Sequence, residues 1–123
     1  MTAANKEIIR KINRGFEADD VEAILSCLAD DVRWDVAGYF TAIGKEEFRK
    51  QIHNEAFVGA PVITIINEIA EGDYVAVEGR VESRMKTGIL FKEAFHNTYR
   101  LENHKVKAMT SYVVPLMGQH ITS

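Results

Sequence analysis

The stretch "LADDVRWDVAGYFTAIGKEEF" (residues 28–48) changes character twice within 21 residues, and those changes set how the rest of the chain must fold. Val32-Arg33-Trp34-Asp35-Val36 is too short and too rich in β-formers for a helix, so it predicts a strand over 32–36. Gly38 and Gly44 bracket a loop, and from Lys45 the spacing of Phe48, Ile52 and Ala56 predicts a helix that runs to about Phe57 and stops before Gly59 and Pro61. Asp35, directly after Trp34, has two readings. A strand lining a pocket would hold its carboxylate where it could do chemistry; a strand end at the surface would leave it facing water or capping the Gly38 loop.

Working outward, the region before this stretch is helical. Ile8, Ile9, Ile12 and Phe16 recur at steps of three and four, with Lys6, Arg10, Lys11 and Arg14 opposite them, which predicts an amphipathic helix ending near 15–18. Asp19 followed by Glu22 reads as a capping box, and Val21, Ile24, Leu25 and Leu28 then form the apolar stripe of a short second helix. After residue 62 the composition shifts to Val, Ile, Thr, Tyr and Phe in four runs, over 62–70, 74–86, 90–102 and 105–114, parted by turns too short for anything but antiparallel hairpins. Long strands twist, and three helices at the front can cover only one face of such a sheet. The class is therefore α+β in a single domain over 1–123, with 115–123 a loose tail.

Composition narrows the function. Apolar residues make up 46% and charged residues 27%, no apolar run approaches the ~20 residues of a membrane span, and the net charge of −3 comes without a basic stripe, so neither membrane nor nucleic acid is an expected partner. Residues 1–10 carry Lys6, Glu7 and Arg10 with no apolar signal core, which points to a cytoplasmic location. Cys27 has no second cysteine and no nearby His to act as its base, so it reads as a packed side chain. His53 on the third helix reads as a packing residue or as an acid or base. The other histidines lack the spacing of a metal site, and no phosphate loop, nucleophile elbow or dinucleotide glycine motif occurs, so no metal and no cofactor are expected.

The stretch "DDVEAILSCLADDVRWDVAG" (residues 19–38) resembles the helix-and-first-strand signature of the nuclear transport factor 2-like superfamily, which includes ketosteroid isomerases, SnoaL-like polyketide cyclases and limonene epoxide hydrolases. "GKEEFRKQI" resembles its third helix, "DYVAVEGRVESRMKTG" its central hairpin and "FHNTYRLENHKVKAMTSYVV" its final hairpin. The resemblance implies three N-terminal helices packed on a strongly curved, mostly antiparallel sheet that forms a cone-shaped pocket, in a homodimer paired through the outer sheet face. That face would carry Glu78, Arg80, Glu82, Arg84 and His96. In ketosteroid isomerases a strand-end Asp is the general base beside an oxyanion hole of a Tyr and a protonated acid. Asp35 matches the base and Asn97 the acid. The oxyanion-hole Tyr falls at Ile12, the supporting Tyr positions fall near Leu28 and Ile52, and Tyr112 is followed by Val113, Val114 and Pro115 instead of an Asp.

On the strands themselves, Val75, Val77, Gly79 and Val81 share one face, and Phe95, Asn97 and Tyr99 join it if the register agrees. The expected site is therefore Asp35 as base and Asn97 as polarising donor. Trp34, Val77, Phe95, Tyr99, Met109, Ile12 and Ile52 would surround a small hydrophobic substrate. Three functions stay open on these residues: a cofactor-free enzyme moving a proton or water, a binding protein for a hydrophobic metabolite, and a structural dimer whose cone is filled by its own side chains.

Overall fold

Residues 2–52 and 57–116 are described by a computed structural model. The chain runs α1 (Thr2–Ala18), α2 (Val21–Leu25), β1 (Leu28–Val36), β2 (Phe40–Ile43), α3 (Lys45–Ile52), β3 (Phe57–Glu71), β4 (Tyr74–Met85), β5 (Leu90–Glu102) and β6 (Lys105–Pro115). The six strands form one curled, unclosed sheet in the order β2-β1-β6-β5-β4-β3, antiparallel throughout except for the parallel pair β1 and β6. The α+β class, the three helices and the meander of long strands are as the sequence predicts.

Four boundaries differ from the sequence reading, each for a physical reason. Asp19 does not cap α2. It takes φ +55 and closes α1: its own N–H bonds the Phe16 carbonyl, and the Asp20 N–H bonds that of Gly15. This left-handed closure satisfies carbonyls that the helix end leaves free. Asp20 is the cap, accepting from the Ala23 N–H at 3.1 Å. Leu28, expected on the second helix, opens β1 because its backbone pairs with Val106 of β6. Residues 40–43, expected as loop, form the edge strand β2 against β1. Gly59 and Pro61, expected to stop a helix before the sheet, lie inside β3, where the pairing with β4 shifts register between Val58 and Val62; such an irregularity is where a strand tolerates Pro and Gly. His53 and the residues of the expected tail from 117 onward lie outside the described residues.

The core forms where the helices meet the concave face of the sheet. Ile9 and Ile12 of α1, Ile24 of α2 and Phe48 of α3 are fully buried against Val75, Val77, Tyr99 and Val106. Asn5 fixes the tilt of α1 by donating to the Gly72 carbonyl in the β3–β4 turn at 3.2 Å, and Arg10 pairs with Glu68 of β3 at 2.8 Å. The concave curl needs one gap in the pleat. At Gly79 an added Cβ would lie 2.5 Å from the Thr64 carbonyl oxygen and 2.6 Å from the Phe95 ring, so only glycine lets that ring lie against β4.

Gly79→Ala should accordingly lower stability by about 1–3 kcal/mol in urea unfolding, the usual cost of overpacking. Adding Phe95→Leu should recover only part of the loss, because the Thr64 backbone contact remains.

Candidate functional site

Strand pairing sorts the inner face into layers. Trp34 of β1 lies beside Met109 of β6, which lies beside Tyr99 of β5 and then Val75 of β4. The next layer is Val36, Ser111, Asn97 and Val77; beyond it come Val113, Phe95 and Gly79, and then Pro115, Glu93 and Val81. Inside this curl is a cavity of about 460 Å³, lined among others by Trp34, Phe95, Asn97, Tyr99, Met109 and Ser111. That volume lies within the ~300–1,000 Å³ of small-molecule sites, and is more than a cone packed shut by its own side chains would leave.

Trp34 holds the deep end together. Its ring stacks on Phe48 at 4.4 Å and meets the edges of Phe40 at 5.3 Å and Phe16 at 6.4 Å. Its indole N–H donates to Ser111 Oγ at 3.0 Å. Asn97 Nδ2 donates to Tyr99 Oη at 3.1 Å, and burial pushes the Tyr99 phenol up to about 12, so it stays protonated. Both hydroxyl oxygens therefore accept a bond from a neighbour, and among the described residues neither O–H has an acceptor of its own. Asn13 of α1, also on the lining, has a side-chain nitrogen that is buried with no partner among the described residues. The deep end is rich in donors.

The expected carboxylate is elsewhere. Asp35 follows Trp34 on a regular strand, so with Trp34 inside, Asp35 lies on the outer face beside Thr41 of β2 and Thr110 of β6. Arg33 Nε donates to it at 2.9 Å and Thr41 Oγ1 at 2.6 Å, and these two bonds hold its carboxyl below the ordinary value, opposite to the rise expected of an enclosed base. Of the other expected contacts, Trp34, Phe95, Asn97, Tyr99 and Met109 line the cavity. Val77 and Ile12 are fully buried in the core without reaching it, and Ile52 borders a separate, smaller hollow beside Phe57.

Comparison with known proteins fits this architecture. The profile of the SnoaL-like domain matches residues 9–109. The chain belongs to the SnoaL-like domain family. No curated protein matches it by sequence. Among solved structures, it is similar to an epoxide hydrolase of the limonene epoxide hydrolase-like type from Mycobacterium tuberculosis, at 13% identity and a TM-score of 0.81 over 99% of this chain and 98% of that one. A putative SnoaL-like polyketide cyclase from Jannaschia sp. CCS1 matches at 18% identity and 0.81, covering 91% and 86%. A hypothetical protein of ketosteroid isomerase-like fold from Catenulispora acidiphila, in complex with trimethylamine, matches at 17% and 0.78, covering 86% and 84%. Likeness at this level of identity establishes the fold and leaves the chemistry to the site.

Among the lining residues of this SnoaL-like domain that escape the sequence reading, four are Asn13, Gln51, Glu93 and Ser111. Three of them carry a signal. Asn13 is one step past Ile12 and lies on the same helix face as Ile9 and Phe16; Glu93 extends the alternation of Phe95, Asn97 and Tyr99 by one more step, and Ser111 extends that of Met109. Glu93 is half-buried, and burial pushes its carboxyl above the ordinary 4.5.

The two carboxylates should thus respond to pH with opposite sign. Asp35, with a depressed pKa, adds a little stability above about pH 4 that is lost as pH falls through its folded value. Glu93, with a raised one, lowers stability above its folded value and has no effect below about pH 4, where both states hold the proton. Asp35→Asn should lower the melting temperature slightly at pH 7 and Glu93→Gln should raise it, and both differences should fade in acid.

Proposed function

We propose that this SnoaL-like domain binds a small, largely apolar molecule and seats one of its acceptor oxygens, a carbonyl or phenolic oxygen, at the deep end of the cavity. The observation that carries this reading is the surplus of donors there. Ser111 and Tyr99 each keep an O–H to give, and Asn13 keeps an unpartnered amide. An unpaired buried donor costs roughly 1–3 kcal/mol, so the Asn13 amide favours a ligand that accepts, and the Ser111 and Tyr99 hydroxyls, which already accept one bond each, have an O–H to add to it. Donors aimed at one oxygen also stabilise negative charge that develops on it. The relatives named as epoxide hydrolase and polyketide cyclase support a catalytic form of this reading, in which the domain works without a cofactor on a small hydrophobic substrate. The β1 carboxylate has no part in it, since Asp35 faces away.

The chain has one tryptophan, and it lines the cavity, so binding can be followed directly by its emission. Steroid, terpenoid and aromatic polyketide ketones should include compounds that change Trp34 fluorescence and raise the melting temperature; a ligand at 100 times its Kd adds about 2.7 kcal/mol. Asn13→Leu should hold or raise the stability of the free protein while weakening such compounds about tenfold. A panel that alters neither signal would rule the reading out.

We further infer a homodimer through the outer sheet face. Glu78, His96 and Tyr112 form one cross-strand row there, and Arg80, Ala94 and Val114 the next, with Tyr112 and Val114 more than half exposed. Light scattering at micromolar concentration should report two copies, and Tyr112→Glu should shift it toward one.

A further inference from the structure

With Asp35 outside, Glu93 is the only acidic side chain lining the cavity among the described residues, and no Lys, Arg or His lines it. Its cross-strand neighbours on the inner face are Val81 and Pro115, and Phe95 is next along β5. Its side chain has no hydrogen bond or ion pair among the described residues. Lys92, its sequence neighbour, is exposed and points to the other face of the strand. A carboxylate half-buried among apolar side chains without a cation is costly unless something else hydrogen-bonds to it.

Its place on the strand gives a length. Glu93 and Ser111 lie in inner-face layers four residues apart along β5, since Ser111 pairs with Asn97, which sets them about 13 Å apart at roughly 3.3 Å per residue. Taking off a hydrogen bond of about 2.8 Å at each end leaves on the order of 8 Å between the polar atoms of a molecule that bridges them.

We propose that Glu93 is the second polar anchor of the cavity, so that the ligand carries a hydrogen-bond donor, such as a hydroxyl, on the order of 8 Å from the oxygen seated at the deep end. This rests on the reading of the deep end given above. It deepens that reading from an apolar acceptor to a molecule of defined polarity and span, about that of two fused rings. The upward push on the Glu93 carboxyl by burial fits a group that lacks its partner until the ligand arrives.

Three ketones separate the two anchors: 2-acetylnaphthalene, 6-acetyl-2-naphthol, and 2-acetyl-6-methoxynaphthalene, which keeps the second oxygen but not its proton. Calorimetry on the full-length protein should show the naphthol binding about tenfold or more tightly than the other two, the range of a hydrogen bond to a charged acceptor. Glu93→Val should erase that advantage with 2-acetylnaphthalene bound at least as tightly as before, and it should raise the melting temperature, which checks that the fold is kept. Glu93→Gln, which still accepts through its amide oxygen, should retain part of the advantage. If the three ketones bind alike, or if the advantage survives in Glu93→Val, the anchor is overturned while binding at the deep end stands. If none binds to the unsubstituted protein, both readings fall.

Discussion

The indole of Trp34 is the joint on which this cavity is built. One ring touches α1 through Phe16, β2 through Phe40 and α3 through Phe48, and its N–H reaches across to Ser111 on β6. An aromatic side chain gains most where its face and edge both find partners and its polar atom is satisfied, and Trp34 has all three. The β1–β6 pair is the one parallel junction in the sheet, so the same contacts also fasten the N-terminal layer to the end of the meander.

That joint also shapes the chemistry of the cavity. By donating its indole N–H to Ser111 Oγ, Trp34 occupies the acceptor side of the hydroxyl and leaves its donor side for whatever enters; the Asn97 amide does the same for Tyr99. Two structural hydrogen bonds thus orient two donors. Asn13 adds a third polar group, whose nitrogen has no partner among the described residues, the kind of local cost that protein folds carry at sites kept for binding.

Asp35 and Glu93 are the same chemical group in opposite surroundings. Asp35 sits on the outer face between Arg33 and Thr41, where two charge-assisted bonds favour the ionised form. Glu93 sits on the inner face among apolar neighbours, where burial favours the neutral one. Strand parity alone made the difference. A carboxylate that immediately follows an inward Trp on a regular strand faces outward, while one two residues from an inward Phe faces inward.

Much of this was legible in the residues. The 3.6-residue stripe of Ile9, Ile12 and Phe16, the four β-branched runs and their short turns determine the α+β class, the number of helices and the meander, because periodicity and turn chemistry are local properties. The alternation of Phe95, Asn97 and Tyr99 likewise placed three lining residues. Pairing over long distances was not legible. That Leu28 leaves the helix for Val106 and that β3 absorbs Gly59 and Pro61 follow from backbone partners far away in sequence, while 40–43 becomes an edge strand on a nearby one, residues 33–36, that β6 holds from its other side. The same limit governed the site. Resemblance drew Asp35 into the cone, although parity with Trp34 already opposed it. Only the layered register of β1, β6, β5 and β4 showed which side chains share the cavity: Val77 and Ile12 stop in the core, and Glu93 and Ser111 reach the cavity. A residue's face is set by its own strand, but its neighbours across the sheet are set by the strands that tertiary packing brings beside it.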